Sequence, residues 1–163
     1  MTGVQTCALP ISGHKHQQGS KRIVFTDRLG NLLYISALSP VNRSDSPLLV
    51  PALTGRMATF ERMGIQLATE TPINLDPGFD SKENAKTCLK LGLKPNIKCN
   101  PRNSKKAAVA PDMPTYMERY VNERAFAWED TYRRLVTRYE VYARNHLAFT
   151  YMAAALTILR LII

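Results

Sequence analysis

The sequence predicts one α/β domain, a mixed sheet flanked by helices, and three observations carry that prediction. Short β-branched and aromatic runs alternate with helical patterns, the sequence form of sheet and helix layers around one core. The 163 residues are 45% hydrophobic and 21% charged, enough for a sizeable core and too apolar for wholesale disorder. From Thr115 onward the chain lacks both Pro and Gly and is rich in helix formers.

The elements follow in order. Residues 22–28 (RIVFTDR), an LGN turn and residues 32–38 (LLYISAL) read as a hairpin. After Pro40, Ser44 or Asp45 offers a helix cap with Pro47 near the first helical position, and Pro51 predicts that this helix is short or bent. Residues 72–76 (PINLD) read as a strand ending at an acid, with Pro77-Gly78 opening a tight loop. Asp80 and Glu83 make a capping pair for a helix that stops at Gly92. On that helix Lys82, Lys86 and Lys90 recur at i, i+4 and i+8, a basic stripe opposite Ala85, Cys88 and Leu89. In residues 94–100 (KPNIKCN), Pro95, Ile97 and Cys99 alternate with Lys94, Asn96 and Lys98, the period of a half-buried edge strand. Residues 101–114 read as a loop. The remainder predicts one or two long helices that bury Tyr116, Tyr120, Phe126, Trp128, Tyr132 and Tyr139.

Charge and cysteine usage narrow the function classes. With 22 Lys and Arg against 13 Asp and Glu, the net charge is +9. Lys82, Lys86, Lys90, Lys94, Lys98, Arg102, Lys105 and Lys106 stand between residues 82 and 106 with Glu83 as the one acid, either a solvated face or a DNA track. The three cysteines lack a C-x-x-C pair, which excludes a zinc module or disulfide scaffold and fits a reducing cytoplasm, with Cys88 and Cys99 as buried thiols. His14, His16 and His146 have no metal-ligand spacing. Residues 147–163 form an apolar run of 17 that includes Arg160, short of the roughly 20 needed to span a bilayer, so a buried terminal helix is expected and no membrane partner. Residues 1–12 (MTGVQTCALPIS) carry no charge, no usable periodicity and no signal-peptide features. They resemble the conceptual translation of a sequencing adapter. The expected organisation is therefore a non-native segment 1–12, a linker 13–20 and a partial domain 21–163, with the natural protein extending further upstream.

Two motifs carry chemistry. One is Asp76-Pro77-Gly78-Phe79-Asp80, where a strand ends; the other is Tyr116-x2-Arg119-x3-Glu123, whose spacing of 3 and 4 predicts one shared helical face. They resemble, in order, the D-x-G-[YF]-D element and the Y-x2-R-x3-E-x6-K signature of bacterial insertion-sequence DDE transposases. Residues 81–103, residues 123–140 and the hairpin region also resemble that family, so the likeness covers about residues 20–163. It implies an RNase H-like fold lacking its first strand. It also implies a site in which two aspartates and a glutamate hold two magnesium ions, about 3.5–4 Å apart in such sites, for DNA strand cleavage and transfer. Asp76 would be the second acid and Glu123 the third, both catalytic and metal-ligating. Arg119 would neutralise a phosphate or orient Glu123, and Tyr116 would pack or contact the DNA backbone. DNA and a full-length transposase, as a homo-oligomer, are the implied partners.

Two positions depart from the family pattern. Asp130 stands where its lysine is expected, with Arg133 or Arg134 as substitutes for phosphate contact, and residues 1–26 contain no Asp or Glu at all. The first catalytic acid is thus missing, because Asp27 matches a turn-side acid at the end of the family's second strand. An inactive transposase fragment is the resulting expectation. The alternatives are a non-catalytic basic fragment that binds DNA or joins transposase assemblies, and a membrane-associated helical protein using residues 147–163.

Overall fold

The computed structural model describes residues 19–100, 110–118 and 120–162, with residues 161 and 162 described by backbone alone. The adapter-like segment, Cys7, His14, His16, Arg102, Lys105, Lys106 and Arg119 lie outside these residues. Strands β1 (Ser20–Lys21), β2 (Val24–Thr26), β3 (Leu32–Ile35) and β4 (Ser39–Pro40) come first, β1 pairing with β4 and β2 with β3, both antiparallel. The β2–β3 turn is built by Asp27, whose carboxylate accepts from the backbone N–H groups of Leu29 and Asn31 and from Asn31 Nδ2, each at 2.8 Å. Gly30 follows at φ +84°, a left-handed position that suits a residue without Cβ. Asp27 therefore serves the turn, as its position predicts.

A 3-10 turn (Ser46–Leu48) leads into α1 (Leu49–Arg62), which runs unbroken for 14 residues. The expectation of a short or bent helix fails because Pro51 falls in the first turn, where a backbone N–H has no intrahelical partner to lose. No side chain caps this helix, and Asp45 instead pairs with Lys21 at 2.7 Å. Leu49, Ala52, Leu53, Arg56 and Phe60 form its buried face.

Next come β5 (Thr71–Leu75), a 3-10 turn (Pro77–Phe79), α2 (Lys82–Lys90) and β6 (Leu93–Ile97), with β5 and β6 parallel from Thr71↔Leu93 to Leu75↔Ile97. Ser81, not Asp80, caps α2, its Oγ accepting from Asn84 N–H at 3.2 Å, while Asp80 accepts from the Asn100 N–H at 2.9 Å. The helix turns Asn84 and Cys88 inward, whereas Leu89, expected in the core, is 65% exposed. Along β6, Leu93 and Asn96 are buried, contrary to the expected alternation. Asn96 is drawn in by polar partners: its amide donates to Asn74 Oδ1 (2.8 Å) and Asp112 O (3.1 Å), and its own oxygen accepts from Asp112 N–H (3.0 Å).

Among the described residues the C-terminal region holds four helices rather than one or two: α3 (Met113–Met117), α4 (Tyr120–Glu129), α5 (Arg133–Val136) and α6 (Ala143–Ile162). Side chains break the pattern where no Pro or Gly does. Thr131 Oγ1 donates to Trp128 O at 2.7 Å, and the Arg138 guanidinium holds the carbonyls of Glu140 and Val141, both at 2.9 Å. Tyr116 is buried as expected, but Phe126 (42% exposed), Trp128, Tyr120 and Tyr139 are not. On α6, His146, Thr150, Ala153 and Ala154 face inward while Tyr151, Met152, Leu156 and Leu159 are exposed, so the terminal helix is only half-covered. No helix among the described residues is long and apolar enough to cross a membrane.

Among the described residues the result is a mixed α/β arrangement of three two-stranded pairs in place of one continuous sheet. Phe25, Leu49, Ala52, Leu53, Ile73, Leu75, Cys88 and Leu93 form one core, so β2, α1, β5, α2 and β6 share a centre. Yet β2 and β5 are not hydrogen-bonded to each other.

Candidate functional site

Between β2 and β5 lies a cleft of about 670 Å³. Val24, Phe25 and Thr26 line one side, Thr71, Ile73 and Leu75 the other, and α1 contributes Leu49 and Arg56. Asp27, Asp76 and Glu118 also border it.

Asp76 sits at the end of β5 in extended backbone, φ −64° and ψ 153°, and its carbonyl accepts from Phe79 N–H at 2.9 Å to start the Pro77–Phe79 turn. That turn is clamped by Asn84, whose Nδ2 donates to Phe79 O (2.9 Å), Ser46 O (3.2 Å) and Ser46 Oγ (3.1 Å). The loop after Asp76 is thus tied to the start of α1. On the other flank, Thr26 Oγ1 donates to Asn122 Oδ1 at 2.5 Å, Arg28 Nε lies 3.1 Å from Glu118, and Asn74 Nδ2 donates to Thr115 O at 2.7 Å. These contacts stitch the α3–α4 junction to both the hairpin and β5.

Tyr116 and Glu123, expected to share one helical face with Arg119, fall on two separate helices. Tyr116 belongs to α3 and is buried, with burial pushing its phenol up from the ordinary value, whereas Glu123 belongs to α4 and is exposed. Arg119 lies outside the described residues. Glu118 N–H bonds Thr115 O, and Val121 N–H bonds Glu118 O. Glu123 does not line the cleft that Asp76 borders. Among the described residues no three His, Cys, Asp or Glu side chains converge to hold a metal ion. The acids at the cleft do not fit a two-ion site, since Asp27 is used by its turn and Glu118 by Arg28.

Lys82, Lys86 and Lys90 are all exposed on α2, and Lys94 and Lys98 are exposed beyond it. Arg133 and Arg134 are exposed on α5, with Arg134 stacked over the Phe149 ring at 5.0 Å. Cys88 is fully buried, and burial raises its thiol pKa, opposed by the nearby Arg56.

Arg56 is the residue sequence reasoning missed. It is 5% exposed, lies between the rings of Phe25 (5.1 Å) and Phe60 (5.2 Å), and its Nε has no hydrogen-bond partner. Burial lowers its pKa from the ordinary guanidinium value. Its signal was available: an arginine standing in the 3–4 spacing of Leu49, Ala52, Leu53 and Phe60, where the stripe calls for an apolar residue. A second buried polar group joins Arg22 to Glu129 and places His146 Nδ1 3.6 Å from Glu140 Oε2, too far for a hydrogen bond. Burial raises the Glu129 pKa, opposed by Arg22; burial and Arg22 lower that of His146, opposed by Glu140. Comparison with protein-family profiles, with curated proteins and with solved structures finds no match.

Proposed function

We propose that this chain is a catalytic-domain fragment of a bacterial insertion-sequence DDE transposase, RNase H-like but short of one strand, and that it binds DNA in the cytoplasm without cleaving it. The observation that supports this most is Asp76 itself. The acid of the D-x-G-[YF]-D-like element ends a strand beside a cleft flanked by two strands that do not bond each other. The family's two magnesium ions need a first acid, which residues 1–26 lack, and a third acid at the cleft, from which Glu123 is absent. Full-length transposase remains a natural partner, because a fragment that keeps part of the fold can join its assemblies.

DNA binding falls to the exposed lysines. If Lys82, Lys86, Lys90, Lys94 and Lys98 meet phosphates, log K falls against log salt with a slope of about −4 to −5. Fluorescence anisotropy of a labelled duplex across a salt series measures it. Replacing Lys82, Lys86 and Lys90 by Ala makes the slope shallower by about 2.7, while Asp76→Asn and Glu123→Gln leave binding unchanged with or without magnesium. A flat salt series removes the DNA-binding reading. Robust magnesium-dependent cleavage that Glu123→Gln abolishes removes the inactive-fragment reading.

A further inference from the structure

We propose that the outer face of α6 is a dimerisation seam, on which a second copy of this chain packs its own α6 about a two-fold axis. The inference stands on α6 and the groove beside it and does not depend on the transposase reading.

The amphipathic order of α6 is inverted. Toward its own domain the helix turns His146, Thr150, Ala153 and Ala154, which are small or polar, and the Thr150 hydroxyl donates to the His146 carbonyl at 3.1 Å. Its large apolar side chains point outward: Met152 is 60% exposed, Leu156 47% and Leu159 50%. A helix serving its own domain alone buries such residues and exposes the threonine. Tyr151 is also partly exposed, but it donates to Ile35 O at 2.9 Å and so belongs to the contact with the hairpin.

The outward residues are in register. Phe149, Met152, Leu156 and Leu159 follow one another at steps of 3, 4 and 3. That alternation keeps one row facing a partner helix and lets the side chains of each enter the gaps of the other. Beside the row a groove of about 280 Å³ opens between α5 and α6, lined by Leu135, Phe149, Met152 and Leu156 among others. It offers the partner's side chains a hole next to the row itself.

Charge selects a second copy as the occupant. The chain carries a net charge of +9, so like charge opposes self-association over the surface at large, yet residues 145–159 contain no Asp, Glu, Lys or Arg. An acidic partner, the complement of the rest of the chain, finds no cation along this row. Arg133 and Arg134 line the groove from exposed positions on α5, where solvent screens them. Aromatic residues and Met, with Lys, Asp and Glu depleted, are also the composition of an interface core.

The area suffices for a reversible dimer. With its 20 residues α6 is about 30 Å long and about 11 Å across, so half its wall presents about 500 Å². Including the α5 side of the groove, two copies bury about 1,200 Å² in total, the lower end of a specific interface, and a dissociation constant of about 1–10 μM is expected.

Sedimentation velocity of the full chain tests this. Between about 1 and 100 μM the mass moves from one chain to two. Met152→Gln together with Leu156→Gln, which keeps charge and helix propensity, weakens the dimer about a hundredfold, with circular dichroism unchanged. Where that variant fails to fold, cysteine pairing replaces it: with Cys7 and Cys99 changed to Ser, mild oxidation links Met152→Cys chains in pairs and leaves Lys86→Cys chains single. The proposal is overturned if the chain stays monomeric at 100 μM, if the double Gln variant dimerises as well, or if Lys86→Cys links as readily as Met152→Cys. It is also overturned if phosphatidylcholine vesicles bind the chain through Met152 and Leu156 while no dimer forms, which would mark a membrane-facing helix. DNA binding at nanomolar protein, where the dimer is dissociated, keeps the same salt slope in the double Gln variant, so the two readings fail separately.

Discussion

Replacing Asn84 by Ala removes the clamp between the loop after Asp76 and the start of α1. Asn84 is 2% exposed, and its amide nitrogen meets Phe79 O, Ser46 O and Ser46 Oγ. Two amide hydrogens serve three acceptors, so the contacts amount to two bonds, one of them shared. Losing them costs about 1 kcal/mol each, and leaving buried carbonyls without donors adds a similar amount, giving about 2–4 kcal/mol in all. With a denaturant slope of about 2 kcal/mol per molar urea, the unfolding midpoint followed by far-UV circular dichroism falls by about 1–2 M. Asn84→Asp supplies the independent check. At neutral pH it turns an acceptor toward two carbonyl oxygens and destabilises at least as much as Ala, and it recovers in acid, where the protonated carboxyl donates again. A loss below about 0.5 kcal/mol for Asn84→Ala, or a neutral Asn84→Asp, refutes the clamp.

Three further outcomes are expected. A Cβ at Gly55 would stand 2.2 Å from Tyr34 Oη, so Gly55→Ala destabilises by about 1–3 kcal/mol despite its better helix propensity. Adding Tyr34→Phe recovers part of the loss in a double-mutant cycle, and strict additivity of the two changes contradicts the contact. His146 has its pKa held below the ordinary value near 6.5 by burial and by Arg22, so the unfolded chain takes up the proton first. Stability is therefore full above about pH 6.5 and falls as pH drops below it. The raised Glu129 has the opposite sign, its stabilising contribution being present at low pH and lost as pH rises through its folded pKa, so comparison with His146→Gln isolates the histidine. That variant shows a smaller drop in urea midpoint between pH 7.5 and 5.5; an unchanged drop removes the assignment. Finally, iodoacetamide modifies Cys99 ahead of Cys88 in the native chain, because Cys88 is fully buried and its thiol pKa is raised. Mass spectrometry with equal labelling of the two before urea is added would contradict that burial.

Local chemistry was the legible part. Asp27 builds its turn, the PINLD segment forms a strand within one residue of the expected bounds, and Cys88 is buried on the inner face of α2. Readings failed where two local signals competed. Ser81 and Asp80 both offer caps, and Asp80 is taken by a backbone N–H 20 residues away, which nothing in its own neighbourhood announces. Asn96 is buried by partners on β5 and before α3, a long-range reason that alternation along β6 does not contain. The C-terminal region misled because absence of Pro and Gly was read as continuity, while Thr131 and Arg138 divert carbonyls from helix bonding. At the candidate site the spacing of Tyr116 and Glu123 assumed an unbroken helix, whereas the two residues fall on separate helices, α3 and α4. Arg56 was passed over for the opposite reason, since a lone cation inside an apolar stripe reads as noise until its neighbours are known.

The β5–α2–β6 unit has a consequence for the order of assembly. Its parallel register joins residues 22 apart, from Thr71↔Leu93 onward, whereas the ties of the last helices to the hairpin, such as Arg22 to Glu129, close loops of 107 residues. By the logarithmic cost of loop closure, the longer tie carries about 1.4 kcal/mol more entropy loss than the shorter. The parallel pair can therefore form early around Cys88 and Leu93, with the loop after Asp76 shaped by Asn84 before any C-terminal helix arrives. Those helices dock last and leave first, so partial unfolding would lay the cleft open along its α3–α4 flank while leaving β5, and Asp76 at its end, in place.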